Sequence, residues 1–100
     1  MAIAVIQDFP QEETERSTTN YDAVSQKIME RITENPGLII HTAGWTGNGF
    51  RIVEVWESKE AYDAFMRDVV MPLVMEQTGG DPGEPPVESW YELHNVVVPE

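Results

Sequence analysis

The sequence contains no cysteine, which excludes disulfides, thiolate metal sites, iron–sulfur clusters and cysteine nucleophiles. It is also poor in positive charge, since six Lys and Arg stand against eighteen Asp and Glu for a formal net charge of −12. Nucleic acid and anionic lipid need clustered cations, so this balance argues against both. No apolar run approaches the ~20 residues of a membrane helix, and the first residues lack the basic segment of a signal peptide. We therefore expect a cytoplasmic protein that binds neither nucleic acid nor membrane.

The chain length predicts a single domain over residues 1–100, because domains of about 100–150 residues are the most common. A hydrophobic content of 41% with three Trp, three Tyr and three Phe is too high for a disordered chain. A protein this small buries only about 60–70% of its unfolded surface. A large ligand cavity would therefore need support from a partner chain.

Apolar runs and turn signals predict four strands and two helices in the order β-α-β-β-α-β. The Gly-rich segment 44–49 is expected to be a turn that contains Trp45 and ends in Asn48-Gly49, a strong hairpin signal. The second and third strands should therefore be antiparallel neighbours. This element order is typical of the ferredoxin-like split motif, an α+β fold. The expected strands are residues 2–6, 38–43, 50–56 and a stretch within 87–98.

Capping signals predict where the two helices begin. Thr19 and Asp22 have the spacing of a capping box, so the first helix should begin at Thr19. Ser58 can cap the second helix, which Pro72 should break or restart because its ring disrupts a helix interior. The remaining segments, residues 9–17 and 79–86, are expected to be loops.

Both faces of the predicted sheet are apolar. In the third strand, alternation places Val53 and Val55 on one face and Ile52 and Trp56 on the other. Two helices cover only one face, and a monomer rarely exposes an apolar patch above a few hundred Å². We therefore expect a second copy to pack sheet to sheet and form a C2 homodimer. Arg51 would lie on the dimer face and form an ion pair with the partner.

The segment Trp56-Glu57-Ser58-Lys59-Glu60-Ala61-Tyr62 resembles the W-E-S-x-E-A-[YF] segment of the antibiotic biosynthesis monooxygenase (ABM) superfamily. The order of elements extends this resemblance over nearly the whole chain. It implies a dimeric α/β barrel built from ferredoxin-like subunits. It further implies a small oxygenase that needs no cofactor and acts on aromatic, polyketide-like molecules in a pocket between sheet and helices.

The resemblance also suggests which residues bind the substrate. Trp56 and Tyr62 match the pocket-lining Trp and Tyr of the cofactor-free monooxygenases. Those enzymes have an Asn four residues before the Trp, where this sequence has Ile52. Haem-degrading members carry a His on the second helix where this chain has Met66, so haem degradation is not expected. We expect the substrate-binding residues to be Trp56, Tyr62, Ile52 and Phe65.

Three titratable residues are candidates for catalysis, namely Glu54, His41 and His94. A carboxylate on the apolar strand face that holds Glu54 is a candidate general base for a C–H or phenolic proton. The structural alternative is an ion pair, with Arg67 or with the partner chain. Imidazole titrates near neutrality, so His41 and His94 could be base and acid if both face one cavity. A metal site built from these residues is not expected, because no metal-motif spacing is present.

The sequence as a whole predicts a cofactor-independent monooxygenase, an oxidoreductase whose substrate is a small aromatic molecule. Two alternatives remain open. One is a non-oxidative cyclase or isomerase that uses the same pocket and base. The other is a non-enzymatic small-molecule-binding protein. The fold alone does not decide among the three.

Overall fold

The computed structural model describes residues 1–11, 16–81 and 83–99. The predicted order of strands and helices is confirmed, and the second helix is divided by a π-helical turn. The strands are β1 (Ile3–Pro10), β2 (Leu38–Thr46), β3 (Gly49–Trp56) and β4 (Val87–Glu92); the helices are α1 (Thr19–Arg31), α2 (Lys59–Phe65) and α3 (Met71–Thr78), with the π-helical turn at Met66–Val70.

The four strands form one antiparallel sheet in the order β2-β3-β1-β4. β1 is central and pairs with both β3 and β4, which explains why its first residues are uniformly apolar. Ile3 and Val5 are almost fully buried, because they lie under the helices. The predicted α+β ferredoxin-like fold is therefore confirmed, with the helices packed on one face of the sheet.

The strands are longer than the sequence pattern predicts. β2 and β3 are joined by a turn of only Gly47 and Asn48, so the expected turn over 44–49 is wrong and Trp45 lies within β2. Gly49 adopts a φ of +153°, and a Cβ there would lie 2.3 Å from the carbonyl oxygen of Phe9. Only glycine allows β1 and β3 to approach this closely.

The segment between β1 and α1 differs from the expectation at its start and in the capping of α1, whereas α1 begins at Thr19 as predicted. Residues 9 and 10 continue β1, and residues 12–15 of the predicted loop lie outside the described part of the chain. Thr19 is the first helical residue and not the cap. Thr18 precedes it and donates its hydroxyl to the Asp22 carboxylate at 2.8 Å, so the predicted capping box is wrong.

The second helix begins as predicted. The Ser58 hydroxyl accepts a hydrogen bond from the Ala61 backbone N–H at 3.1 Å, which satisfies one of the free amides at the helix start. Pro72 restarts the helix near the beginning of α3. Proline lacks an N–H and crowds the preceding turn of an α-helix, and the wider π-helical turn accommodates it.

The core lies between the centre of the sheet and α2. Trp56 is fully buried, with 0% exposure, and its ring lies 5.7 Å from that of Tyr62 and 5.2 Å from that of Phe65. Ile3 and Val5 complete the buried cluster from the sheet side. By contrast α1, every residue of which is described, contributes no fully buried side chain. The sheet is therefore held mainly by α2, and α1 packs more loosely over β2 and β3.

The face of the sheet away from the helices is apolar and exposed. Ile40, Val87 and Tyr91 are each more than half exposed there. Arg51 also lies on this face, where its guanidinium pairs with both oxygens of the Asp8 carboxylate at 2.7 and 3.1 Å. The expectation that Arg51 pairs across a dimer interface is therefore wrong, since its carboxylate partner belongs to the same chain. None of the helices in the described residues has the length and hydrophobicity needed to cross a membrane.

The start of α2 gives a test of the fold. We expect Ser58→Ala to lower the free energy of unfolding by about 1 kcal/mol, because the Ala61 amide loses its only side-chain acceptor. The measurement is urea-induced unfolding followed by circular dichroism. Thr18→Ala is the matched control at the start of α1, where we expect a change within about 0.5 kcal/mol. Equal losses for the two variants would contradict this account of the Ser58 cap.

Candidate active site

A buried carboxylate lies at the centre of the helix-facing side of the sheet. Glu54 is 9% exposed and pairs in register with Val5 of β1 on one side and with His41 of β2 on the other. Alternation along β3 places it on the same face as Trp56, as the sequence predicts. A charged group in such surroundings is stable only when its oxygens are hydrogen-bonded.

Both oxygens of the Glu54 carboxylate have partners within the chain. Oε1 accepts a hydrogen bond from the indole N–H of Trp56 at 3.2 Å, and Oε2 accepts one from His41 Nδ1. An ionised carboxylate only accepts hydrogen bonds, so Nδ1 carries a proton and Nε2 of the neutral ring is the free base. Arg67, the cation considered as an alternative partner, pairs with Asp68 at 2.9 Å. The observed partner of Glu54 is therefore a histidine.

Sequence reasoning missed Tyr21, which extends this arrangement from α1. Its hydroxyl lies 2.5 Å from His41 Nε2 and donates to the nitrogen lone pair. The two ring planes differ by only 10° and the centroids are 6.0 Å apart, so the phenol and the imidazole lie nearly parallel to each other. Burial, followed by the charge of Glu54, raises the pKa of Tyr21, which keeps the phenol protonated at neutral pH.

The arrangement leads from the core towards the surface. Trp56 is inaccessible, the Glu54 side chain is 11% exposed and the His41 side chain is 35% exposed. At the outer end the buried ring of Phe50 makes edge contacts with the rings of Tyr21 and Trp45, each with centroids 5.0 Å apart. The accessible end of the site thus lies between α1 and β2, beside aromatic rings suited to a flat aromatic molecule.

Tyr62 lies deeper, on the core side of the site. Its hydroxyl accepts a hydrogen bond from Gln7 Nε2 at 2.7 Å, and both residues are buried. Burial raises the pKa of Tyr62 far above its ordinary value, and the negative charges of Glu88 and Glu54 add to the shift. Tyr62 is therefore a neutral phenol that supports the core around Trp56.

The other two predicted substrate-binding residues flank this region. Ile52 is half-buried on the inner face of β3, in register with Gln7 and Ala43. Phe65 is half-buried at the end of α2 and packs against the core cluster. Ile52 and Phe65 thus retain accessible surface, in contrast to Trp56 and Tyr62.

The structure does not bring the second histidine to this site. His94 is exposed and follows β4, whereas His41 lies on β2. β4 and β2 are the two opposite edges of the sheet, so the described chain gives the histidines no common cavity. Of the three candidate catalytic residues, Glu54 and His41 are in contact and His94 is apart from them.

Two surface cavities lie elsewhere on the described part of the chain. A groove of about 350 Å³ lies between the end of α1 and the π-helical turn, with Phe65 and Leu73 in its lining. A second, of about 220 Å³, lies beside the β2–β3 turn. Neither is lined by Glu54 or His41. Within the described residues, no group of three His, Asp or Glu side chains is placed to hold a metal ion.

No protein-family model matches the sequence, and no curated protein matches it. Solved structures do match. A protein of Chloroflexus aurantiacus assigned as an antibiotic biosynthesis monooxygenase is 16% identical, with a TM-score of 0.62 over 98% of each chain. SnoaB, a cofactor-independent oxygenase of Streptomyces nogalater, is 12% identical, with a TM-score of 0.60 over 96% of each chain. The ActVA-Orf6 monooxygenase of Streptomyces coelicolor, in complex with Nanaomycin D, is 25% identical, with a TM-score of 0.56 over 99% of this chain and 92% of that one.

These matches establish the class of protein at the level of the fold. The chain has the fold of the ABM-type proteins, as the segment from Trp56 to Tyr62 predicts. Several of the similar structures are oxygenases, and others are proteins of unknown function. The fold is therefore shared, and the activity must be argued from the site.

The buried Tyr62 phenol predicts how stability depends on pH. Because its folded-state pKa is raised above the ordinary value of 10.0, the stabilisation is complete below pH 10 and is lost as pH rises further. We expect Tyr62→Phe, which lacks the ionisable group, to lose less stability than wild type between about pH 9 and 11. The measurement is urea unfolding at several pH values.

Met29→Leu is the control, since it changes an exposed, non-ionisable side chain of α1. We expect it to follow the wild-type pH dependence. Identical slopes for Tyr62→Phe and wild type would contradict the account of Tyr62.

Proposed function

We propose that this protein is a small cofactor-independent monooxygenase that oxidises a flat, electron-rich aromatic molecule, with the Glu54–His41 pair as its base. The observation that carries the proposal is the hydrogen bond from His41 Nδ1 to the buried Glu54 carboxylate, beside the accessible rings of Trp45 and Tyr21. The oxygenases among the similar structures support the reaction type.

The geometry suits proton abstraction. Glu54 holds the imidazole in the tautomer with a basic Nε2 and stabilises the imidazolium once a proton arrives. The substrate would lose a proton from a carbon activated by a neighbouring carbonyl and ring, which leaves a carbanion delocalised over the aromatic system. The half-buried setting limits solvent around this carbanion.

The remaining steps balance without a further reductant. The carbanion passes one electron to dioxygen, and the two radicals combine to a peroxide on the same carbon. Loss of water then leaves a carbonyl, so that CH2 and O2 become C=O and H2O. The substrate supplies all the electrons, which is consistent with a protein that uses no cofactor.

The predicted substrate-binding residues divide into two roles in this proposal. Ile52 retains accessible surface on the inner face of β3 and contacts the substrate, whereas Phe65 lines the groove beside the π-helical turn. Trp56, with no exposed surface, fixes one Glu54 oxygen through its indole N–H, and Tyr62 supports Trp56 from α2. Direct contact of Trp56 or Tyr62 with a substrate would require α2 to move away from the sheet.

The base gives a direct test of the proposal. We expect Glu54→Gln to lower the rate of dioxygen uptake with anthrone by about 10²–10⁴-fold, because the amide cannot stabilise the imidazolium. His41→Ala should have an effect of the same size. An oxygen electrode measures uptake, and Glu30→Gln on the exposed side of α1 is the matched control.

Three outcomes would contradict the proposal. Conversion of anthrones or naphthols under strict anaerobiosis would indicate a cyclase or isomerase. Binding without turnover, unchanged in Glu54→Gln, would indicate a binding protein. Full activity in His41→Ala together with loss in His94→Ala would move the base to the other edge of the sheet.

We also propose that the active form is a homodimer joined through the outer faces of the two sheets. The exposed apolar residues Ile40, Val87 and Tyr91 on this face would be buried by a second copy. Around them Asp8 and Arg51 already neutralise one another, so an apolar partner surface meets no unpaired charge at that point.

The dimer predicts a species of about twice the 11.3 kDa chain mass. Sedimentation velocity at micromolar concentration measures this, and we expect Ile40→Lys to shift the protein towards monomer because it buries a charge in the interface. Met29→Lys, at an exposed position of α1, should leave the dimer intact. A folded wild-type monomer at these concentrations would contradict the proposal.

A further inference from the structure

The basic atoms of the Glu54–His41 pair are already hydrogen-bonded within the chain. Glu54 Oε1 accepts from Trp56, Oε2 accepts from His41 Nδ1, and His41 Nε2 accepts from the Tyr21 hydroxyl. His41 Nε2, the nitrogen that would act as the base, therefore faces the Tyr21 phenol and not an open pocket. The Tyr21 oxygen is the last atom of this chain of hydrogen bonds.

The Tyr21 ring is held in this position by packing as well as by hydrogen bonding. Its centroid lies 5.0 Å from that of the buried Phe50 in an edge-to-face arrangement, which is a favourable geometry for two aromatic rings. The phenol ring also lies nearly parallel to the imidazole, with its hydroxyl 2.5 Å from Nε2. Displacement of Tyr21 by a substrate would forfeit both contacts, which favours a substrate that reacts through Tyr21.

We propose that Tyr21 is a catalytic acid–base residue that passes the substrate proton to His41. This inference rests on the proposed function and extends its proton path by one residue. In a single concerted step the substrate C–H bond breaks and its proton binds Tyr21 Oη. The original phenolic proton moves to His41 Nε2 at the same time. The products are a substrate carbanion, a neutral Tyr21 and an imidazolium paired with the Glu54 carboxylate.

The surroundings of Tyr21 suit a relay that starts from a neutral phenol. A protonated hydroxyl can donate to Nε2 and accept from the substrate at the same time. A free phenolate could not donate, and it would lie close to the negative charge of Glu54. The relay also leaves the His41–Glu54 hydrogen bond intact throughout, so the imidazolium is stabilised as soon as it forms.

Exchange of the anthrone methylene protons tests the relay without oxygen. Wild-type protein is mixed with anthrone in D2O under anaerobic conditions, and the loss of the methylene signal is followed by proton NMR. We expect Tyr21→Phe to slow protein-catalysed exchange by about 10²-fold or more. Binding of anthrone, measured by tryptophan fluorescence, should stay within about threefold, since the ring and its contact with Phe50 remain.

Glu30→Gln, at an exposed position of the same helix, is the control and should exchange at the wild-type rate. A melting temperature of Tyr21→Phe within about 3 °C of wild type shows that the fold is kept. Wild-type exchange in Tyr21→Phe would overturn the relay. So would a wild-type protein that fails to accelerate exchange over buffer.

The same experiment separates this inference from the proposed function. If wild type accelerates exchange in a Tyr21-dependent manner but takes up no dioxygen in air, the oxygenase is wrong and the relay stands. If dioxygen uptake depends on Glu54 and His41 but is unchanged in Tyr21→Phe, the oxygenase stands and the relay is wrong.

Discussion

The pairing of the buried Glu54 carboxylate with the His41 imidazole is the interaction on which the arrangement of the site depends. A carboxylate removed from water to this degree is costly unless its oxygens are hydrogen-bonded. β2 must lie beside β3 in a register that sets His41 opposite Glu54, and Trp56 must turn its indole N–H towards the same group. The Glu54 carboxylate thus connects the edge strand β2, through His41, with the core tryptophan, Trp56.

Much of the fold could be predicted from local patterns. The order of elements follows from apolar runs and breakers, and the start of α2 follows from Ser58, because a hydroxyl before a helix has a defined partner three residues on. The strand ends could not be predicted this way. Gln7 and Asp8 are polar, yet both are within β1, since Gln7 binds Tyr62 across the core and Asp8 binds Arg51 across the sheet. Such partners are distant in sequence and leave no periodic signal.

The candidate site was predictable where it depends on strand alternation and not where it depends on helix packing. Alternation places Glu54 on the inner face, and the hairpin between β2 and β3 makes His41 a neighbour. Tyr21 is one residue of a helix with no buried side chain, so nothing in its spacing indicates the hydrogen bond to His41. The sequence could not show that His94 and His41 lie far apart. Their separation follows from the strand order, which places β4 and β2 at opposite edges and is a property of the whole sheet.

The π-helical turn between α2 and α3 changes the direction in which the side chains after it point. Phe65 and Leu73 are eight residues apart, and eight steps of about 100° in an ideal α-helix would rotate Leu73 by roughly 80° away from Phe65. Phe65 nevertheless packs on the core and Leu73 is almost fully buried. The wider turn at Met66–Val70 takes up one extra residue and so reverses most of this drift. An apolar residue at every fourth position would wind around a regular helix, and the wider turn keeps Leu73 on the buried side of the helix.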